Sequence, residues 1–273
     1  MLLALHAGLD GIMGVAAPNT SQAAEQRMRE KVAAAVYDDY LAEISKHHSI
    51  EVMDREVVRF VENIPRGGTV IDVGGCWGWH WRNLHVQRPD LNVVIVDFVR
   101  DNLLHARRLL RERIGQNVWL MHGDATKLDL PAGVFDGYWS VQALQHVPDV
   151  DVAIQEAARV LKPGGLFANY SLNDGLMIRL VYRLLRREYI VNGQASGRYY
   201  LRRADRAQRE TVARTFGTQV AERFTELLFK PELRLSSPGR KGSPLGRLDA
   251  RLSGRSPLAA LIARQRSYHA RKP

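Results

Sequence analysis

At 273 residues, with 45% hydrophobic and 25% charged side chains, the chain has the make-up of a folded globular protein long enough to bury a full core; it is neither fibrous nor disordered. A single cysteine, Cys76, rules out an internal disulfide and a multi-cysteine metal site, which suits a reducing compartment and makes the cytoplasm the default location. The formal charge of +10 is unevenly spread: from Ser171 onward 22 Lys and Arg stand against 8 Asp and Glu, whereas residues 1–170 hold 17 against 21. The C-terminal part therefore attracts anionic partners, the bland alternative being a solvated basic face.

Met1 to Ala17 is interrupted by His6 and Asp10, lacks a basic start and reads as a loose N-terminus, and no apolar run approaches the ~20 residues that span a bilayer. Gln22 to Ser45 and Glu51 to Ile64 carry apolar residues at helical spacing, and Pro65, Gly67 and Gly68 stop the second. Thr69 to His80 (TVIDVGGCWGWH) is a short β-branched strand followed by Gly74, Gly75 and Gly78, where the chain must turn sharply into a helix over Trp77 to Gln87. Strands follow at 92–96, 118–121, 135–140 and 166–170, separated by helices over Arg100 to Ile114 and Val152 to Leu161. Apolar strands alternating with helices predict an α/β, doubly wound, mostly parallel sheet with helices on both faces, whose ligand lies at the C-terminal strand ends.

After Tyr170 the pattern changes. Leu176 to Ile190 reads as a basic amphipathic helix with Arg179, Arg183, Arg186 and Arg187 on one face, and Arg202 to Phe216 as a second helix. Asn192 to Tyr200 between them reads as a lid loop. Val220 to Leu235 is ambiguous between helix and two further strands, and Ser236 to Arg255 is Ser/Gly/Pro/Arg-rich and expected to be extended or poorly ordered. Ser256-Pro257 can cap a short helix ending near Tyr268. The expected organisation is a tail and helix at 1–50, a domain at 51–235 with a helical insertion at about 171–216, and a basic extension at 236–273.

Four segments in order, VIDVGGCWG (70–78), VIVD (94–97), HGDAT (122–126) and LKPGGLF (161–167), resemble the motifs of class I S-adenosylmethionine-dependent methyltransferases, most closely the type-11 small-molecule group. The resemblance covers about 100 residues. It implies a seven-stranded Rossmann-like sheet and S-adenosylmethionine as cofactor. It implies that Asp72, Gly74, Gly75, Cys76 and Gly78 form the turn under the methionine part, with Asp72 near its ammonium group. Asp97 would accept from the ribose hydroxyls, Phe98 lie against the adenine, Asp124 and the Ala125 N–H bind its edge, and Ser140 complete the site. His146 resembles a histidine many relatives carry and is the first candidate for a general base, beside a purely structural hydrogen-bonding role. No histidine spacing suggests a metal.

Cys76 departs from the family's glycine, and Trp77, Trp79 and Trp81 form an aromatic start to the first helix, read mainly as core with Trp77 or His80 on the ligand side as the functional alternative. The expected reaction is methyl transfer to an O or N atom of a small or lipid-linked, anionic acceptor, with peripheral membrane contact through 176–190. The alternatives are an RNA methyltransferase using the basic part, for which no RNA-binding module is evident, and a degenerate, non-catalytic cofactor-binding protein.

Overall fold

The computed structural model describes residues 11–14, 26, 27, 30, 49–195, 199–217, 219–228 and 243–273. Its centre is an eight-stranded sheet in the order β1-β4-β3-β2-β5-β6-β10-β9, formed by β1 (Ile12–Met13), β2 (Thr69–Val73), β3 (Asn92–Asp97), β4 (Val118–His122), β5 (Phe135–Val141), β6 (Leu161–Leu172), β9 (Ala221–Thr225) and β10 (Gln265–Arg271). Strands β1 to β6 are parallel, and β10 runs antiparallel to both its neighbours.

Both faces of the sheet are covered, which is why its inner strands read as unbroken apolar runs. On one face Ile71, Val94, Tyr138 and Phe167 pack with α4 (Val150–Val160) and α6 (Arg206–Phe216). On the other, Val70, Ile95, Trp139 and Tyr170 pack with α1 (Ser49–Val61), α3 (Arg100–Leu110), Trp81 and Leu84. Buried Glu56 of α1 accepts from Arg223 at 2.7 and 2.9 Å and from the Tyr170 hydroxyl at 3.0 Å, tying α1 to β6 and β9. That ion pair is enclosed, so its bonds hold register between elements far apart in sequence.

The architecture agrees with the doubly wound reading, with one strand more than the expected seven. Ile12 and Met13, in the stretch read as a loose tail, pair with Leu120 and Met121 as an edge strand. The segment 236–273, expected to be an extension, instead supplies α7 (Pro244–Leu252), α8 (Pro257–Ile262) and β10, and β10 lies inside the sheet. Tyr268 is therefore in a strand and not at a helix end. In β10 (QRSYHAR) polar residues dominate and are satisfied locally: Arg266 pairs with Glu222, and Ser267 with His269. That leaves no apolar run to announce a strand. Only β9 arises from Val220 to Leu235 among the described residues, and Gln22 to Ser45 lies largely outside them.

Several helices are shorter than expected, and three of them show why. The turn after β2 continues as a 3-10 turn at Trp79–Trp81 and α2 (Leu84–Gln87), because Trp81 is pulled inward by a hydrogen bond to Asp72. The basic helix is α5 (Leu176–Leu184); Arg186 takes a φ of +50° and ends it, so Arg186 and Arg187 do not continue the face of Arg179 and Arg183. Arg202 to Ala204 precede α6, and Asp205 caps it by accepting from the Gln208 N–H. Asn192 to Tyr200 is a β-hairpin of β7 (Asn192–Ala195) and β8 (Tyr199–Arg202), not an open loop.

Candidate active site

The strand order reverses between β2 and β5, and a cleft of about 330 Å3 opens there at the C-terminal strand ends. Its floor is the turn after β2. The Gly74 and Gly75 N–H groups both donate to the Val96 carbonyl, at 2.7 and 3.2 Å, which folds the turn back over β3. Gly74 has a φ of +76°, and a Cβ there would stand 2.0 Å from the Ala143 Cβ, so only glycine fits. Gly75 has no unusual φ, but a Cβ would meet Asp72 Oδ2 at 2.5 Å. Room is therefore needed at 75 and a left-handed backbone at 76, where Cys76 has a φ of +50°.

A left-handed non-glycine residue costs about 1–2 kcal/mol, against about 0.5–1 kcal/mol of extra chain entropy that glycine loses on folding. Cys76→Gly is accordingly expected to raise stability slightly, by about 0.5 kcal/mol, read as a higher urea midpoint at unchanged m-value. A lower midpoint would show that the cysteine side chain contributes packing that outweighs the backbone strain.

Asp97, at the end of β3, is buried and held by three donors. Its Oδ2 accepts from the Cys76 N–H at 2.9 Å, and its Oδ1 from the Val99 N–H at 2.8 Å and Asn102 Nδ2 at 3.0 Å. Asn102 in turn accepts from Trp77 Nε1 at 2.9 Å. The carboxylate is thus fixed at the cleft wall before any ligand arrives. Asp124 accepts from the Thr126 N–H at 2.8 Å, which shapes the turn after β4 that carries Ala125.

His146 closes the other side. A carbonyl can only accept, so the His146 Nδ1–H donates to the Tyr200 carbonyl at 2.8 Å. Gln145 Oε1 accepts from the Leu172 N–H at 2.8 Å, so the Gln145 amide nitrogen faces His146 Nε2 at 3.1 Å. Together these bonds put the proton on Nδ1 and the lone pair on Nε2. The Tyr199 ring stands edge-on to the imidazole at 5.7 Å, so the β7–β8 hairpin and His146 form one unit.

Of the residues singled out from sequence, Gly74, Cys76, Asp97, Phe98, Asp124, Ala125 and His146 line the cleft. Asp72, Gly75, Gly78 and Ser140 stand behind the lining. Asp72 is buried under the turn, where it accepts from Trp81 Nε1 at 2.7 Å. Burial, and secondarily the nearby Asp97 charge, raise its pKa to about 7 against the bond from Trp81. Gly78 has a φ of +69° and permits close packing of α3, since a Cβ would meet Leu110 Cδ1 at 2.7 Å. Ser140 is fully buried, its Oγ without a hydrogen-bond partner among the described residues. Neither Trp77 nor His80 lines the cleft.

Sequence reasoning missed Asn102, Gln142 and Ala143 in the lining. Asn102 carried a usable signal: it lies in the first turn of α3, five residues after Asp97, within side-chain reach of that carboxylate. Gln142 has a φ of +52°, which no local motif announces.

The sheet order and this cleft define the class I S-adenosylmethionine-dependent methyltransferase fold. Residues 71–169 match the family model described as a methyltransferase domain. The ubiquinone/menaquinone biosynthesis C-methyltransferase of Methylobacterium nodulans is 33% identical over 99 residues, 36% of this chain and 39% of its own. A demethylmenaquinone methyltransferase of Listeria welshimeri is 30% identical over 151 residues, 55% of this chain and 62% of its own. The chain thus spans less than two thirds of the length of either relative. A phosphoethanolamine N-methyltransferase of Haemonchus contortus, solved with S-adenosyl-L-methionine, shares the fold with a TM-score of 0.52 at 17% identity, over 80% of this chain and 52% of that one.

The cleft fits the family's cofactor. Two carboxylates suit hydroxyl and amino donors, Phe98 puts an aromatic residue in the lining, and the turn at Gly74 presents bare backbone. Among the described residues no group of three or more His, Cys, Asp or Glu is arranged to hold a metal, and no helix is long and apolar enough to cross a membrane.

Proposed function

We propose that the chain transfers a methyl group from S-adenosylmethionine to a small or lipid-linked acceptor. The observation that carries this is Asp97, fixed by three donors at the wall of a cleft whose opposite side is His146. S-adenosylmethionine, when bound, supplies an electrophilic methyl group on a sulfonium centre. Asp97 would accept from the ribose hydroxyls, Asp124 and the Ala125 N–H would hold the adenine edge, Phe98 would lie against its ring, and the turn from Gly74 to Gly78 would back the methionine part. Asp72, Gly75, Gly78 and Ser140 act from behind, by shaping that turn and the end of β5. Holding the acceptor in line at the cleft supplies much of the rate, because orientation replaces a costly bimolecular encounter.

In this reading His146 Nε2 would take up a proton from the acceptor once the Gln145 amide, which donates to it at 3.1 Å, turns away, with Nδ1 anchored on the Tyr200 carbonyl. The acceptor atom in this reading is an oxygen or a nitrogen. A carbon atom is the second reading, favoured by the likeness to the C-methyltransferase of Methylobacterium nodulans. A lipid-linked acceptor is presented at a membrane surface, and the segment 176–190 is the contact the chain offers there.

Calorimetry with S-adenosylmethionine tests the reading. Wild type is expected to bind at micromolar concentration and Asp97→Ala at least ~tenfold more weakly, a loss of about 1.4 kcal/mol. Equal affinity in the two would remove Asp97 from the site, and no binding by wild type would overturn the proposal. Mass spectrometry of demethylated hydroquinones, phenols and amines incubated with enzyme and cofactor then separates carbon, oxygen and nitrogen acceptors.

A further inference from the structure

Helix α5 presents its apolar side to solvent. Ile178 is buried against the protein, while Leu176, Met177, Leu180 and Leu184 are exposed, Leu184 by 81%. At 100° per residue Leu176, Leu180 and Leu184 form one stripe, with Met177 beside it, on the side opposite Ile178. A surface helix normally turns that stripe inward. Helix α8 extends the patch: Leu258, 75% exposed, and Leu261 stand one turn apart on its outer side, and Ala259 is buried beneath.

The two helices are joined at a fixed angle. Asn173 Nδ2, just before α5, donates to the Ala260 and Ala263 carbonyls at 2.7 and 3.0 Å. A Cβ on Gly175 would stand 3.3 Å from the Ala260 and Leu261 carbonyl oxygens, so the head of α5 lies against the end of α8. Of the eleven large apolar side chains exposed among the described residues, seven belong to α5, Leu185 and α8. Such concentration marks a contact surface and not the usual scatter of single exposed residues.

Its rim is cationic. Arg179 and Arg183 border the α5 stripe, and the exposed Arg186 and Arg187 follow at its end, against Asp174, already paired with Arg179, and Glu188. Leucines on one face with arginines at the border are the composition of a helix that lies in a headgroup layer: the apolar side chains enter the acyl boundary and the guanidinium groups meet anionic lipid. The patch also adjoins the cleft. Arg203 donates to the Asn173 and Ile190 carbonyls, linking the start of α5 to the hairpin whose Tyr200 carbonyl anchors His146.

We infer that α5 and α8 together form a docking surface for an anionic lipid bilayer, which holds the mouth of the cleft at the membrane. The inference rests on the reading of a lipid-linked acceptor and gives its source. The occupant is a bilayer and not a second copy of the chain, because a cationic rim is complementary to anionic headgroups and repels its own image across a twofold axis.

Flotation of the full chain with vesicles of phosphatidylcholine alone, or mixed with phosphatidylglycerol, tests this. Wild type is expected to float with the mixed vesicles at least ~tenfold more than with neutral ones. The double variant Leu180→Glu, Leu184→Glu is expected to stay in solution with both. Arg183→Glu with Arg186→Glu is expected to lose the preference for anionic lipid. All these side chains are exposed, and calorimetric binding of S-adenosylmethionine by each variant confirms an intact fold. Wild type that stays in solution with the mixed vesicles overturns the docking surface while leaving the cofactor reading standing. Light scattering showing a wild-type dimer that the leucine variant dissolves overturns it in favour of self-association. Vesicle binding without cofactor binding overturns the functional reading instead.

Discussion

Gly74→Ala is expected to weaken S-adenosylmethionine binding by roughly 100-fold, the equivalent of about 3 kcal/mol, and to destabilise the fold by a similar amount. Two costs combine at this residue. Its φ of +76° penalises any side chain by about 1–2 kcal/mol, and the added methyl would stand 2.0 Å from the Ala143 Cβ, an overlap relieved only by moving one of two loops. Both loops line the cleft, and the Gly74 N–H bond to Val96 constrains one of them. Thermal unfolding and calorimetry read the two effects separately. Ala143→Gly in the same background is expected to restore much of both, since it removes the clashing carbon. Failure of that rescue would place the cost in the backbone conformation and not in the collision.

Asp72→Asn is expected to stabilise the protein at neutral and alkaline pH and to leave it unchanged near pH 4. Burial raises the Asp72 pKa from 3.8 to about 7, so between these values the folded state holds a proton that the unfolded chain has released. Stability contributed by this group is therefore full below pH 4, falls by about 1.4 kcal/mol per pH unit, and levels off above pH 7. Asparagine keeps an oxygen for Trp81 Nε1 and carries no charge to bury. The difference between variant and wild type should grow from zero at pH 4 to about 4 kcal/mol at pH 8, measured by urea unfolding at each pH. The comparison must be made as a difference, because two histidines act oppositely. Burial, assisted by Arg82, lowers His80 to about 4, and burial likewise lowers His269 to about 4, so each adds stability as pH rises to about 6.5. Parallel curves for variant and wild type would mean that Asp72 is ionised at little cost in the folded state.

The same residue shows where sequence reading was strong and where it stopped. The segment Val70 to Gly78 announced a strand and a turn through β-branching and glycine, and the structure has both, because these are local properties of the backbone. Which way Asp72 faces is not local: it depends on Trp81, nine residues away, and on Ile95 in the neighbouring strand. Asp97 and Asp124 were legible because a carboxylate at a strand end stands at the edge of a parallel sheet whatever else surrounds it. Asn102 was readable only by its spacing from Asp97, since its role comes through Asp97 and Trp77. The outward stripe of α5 was legible as amphipathicity, but the sequence pattern does not say which side of such a helix meets the protein. Strand β10 was the largest miss. Its side chains are satisfied by partners on β9 and within β10 itself, so no hydrophobic period marked it.

That strand also sets an order of events during synthesis. Residues 265–271 are made after β9 yet lie between β6 and β9, and among the described residues β10 is the strand of the sheet that pairs with β9. A nascent chain can assemble β2 to β6 as it leaves the ribosome, but β9 must wait for β10, and Glu56 for Arg223. A stop codon after Arg264 would therefore remove more than its own residues: it would strand β9 and expose the long edge of β6 to pairing with other chains.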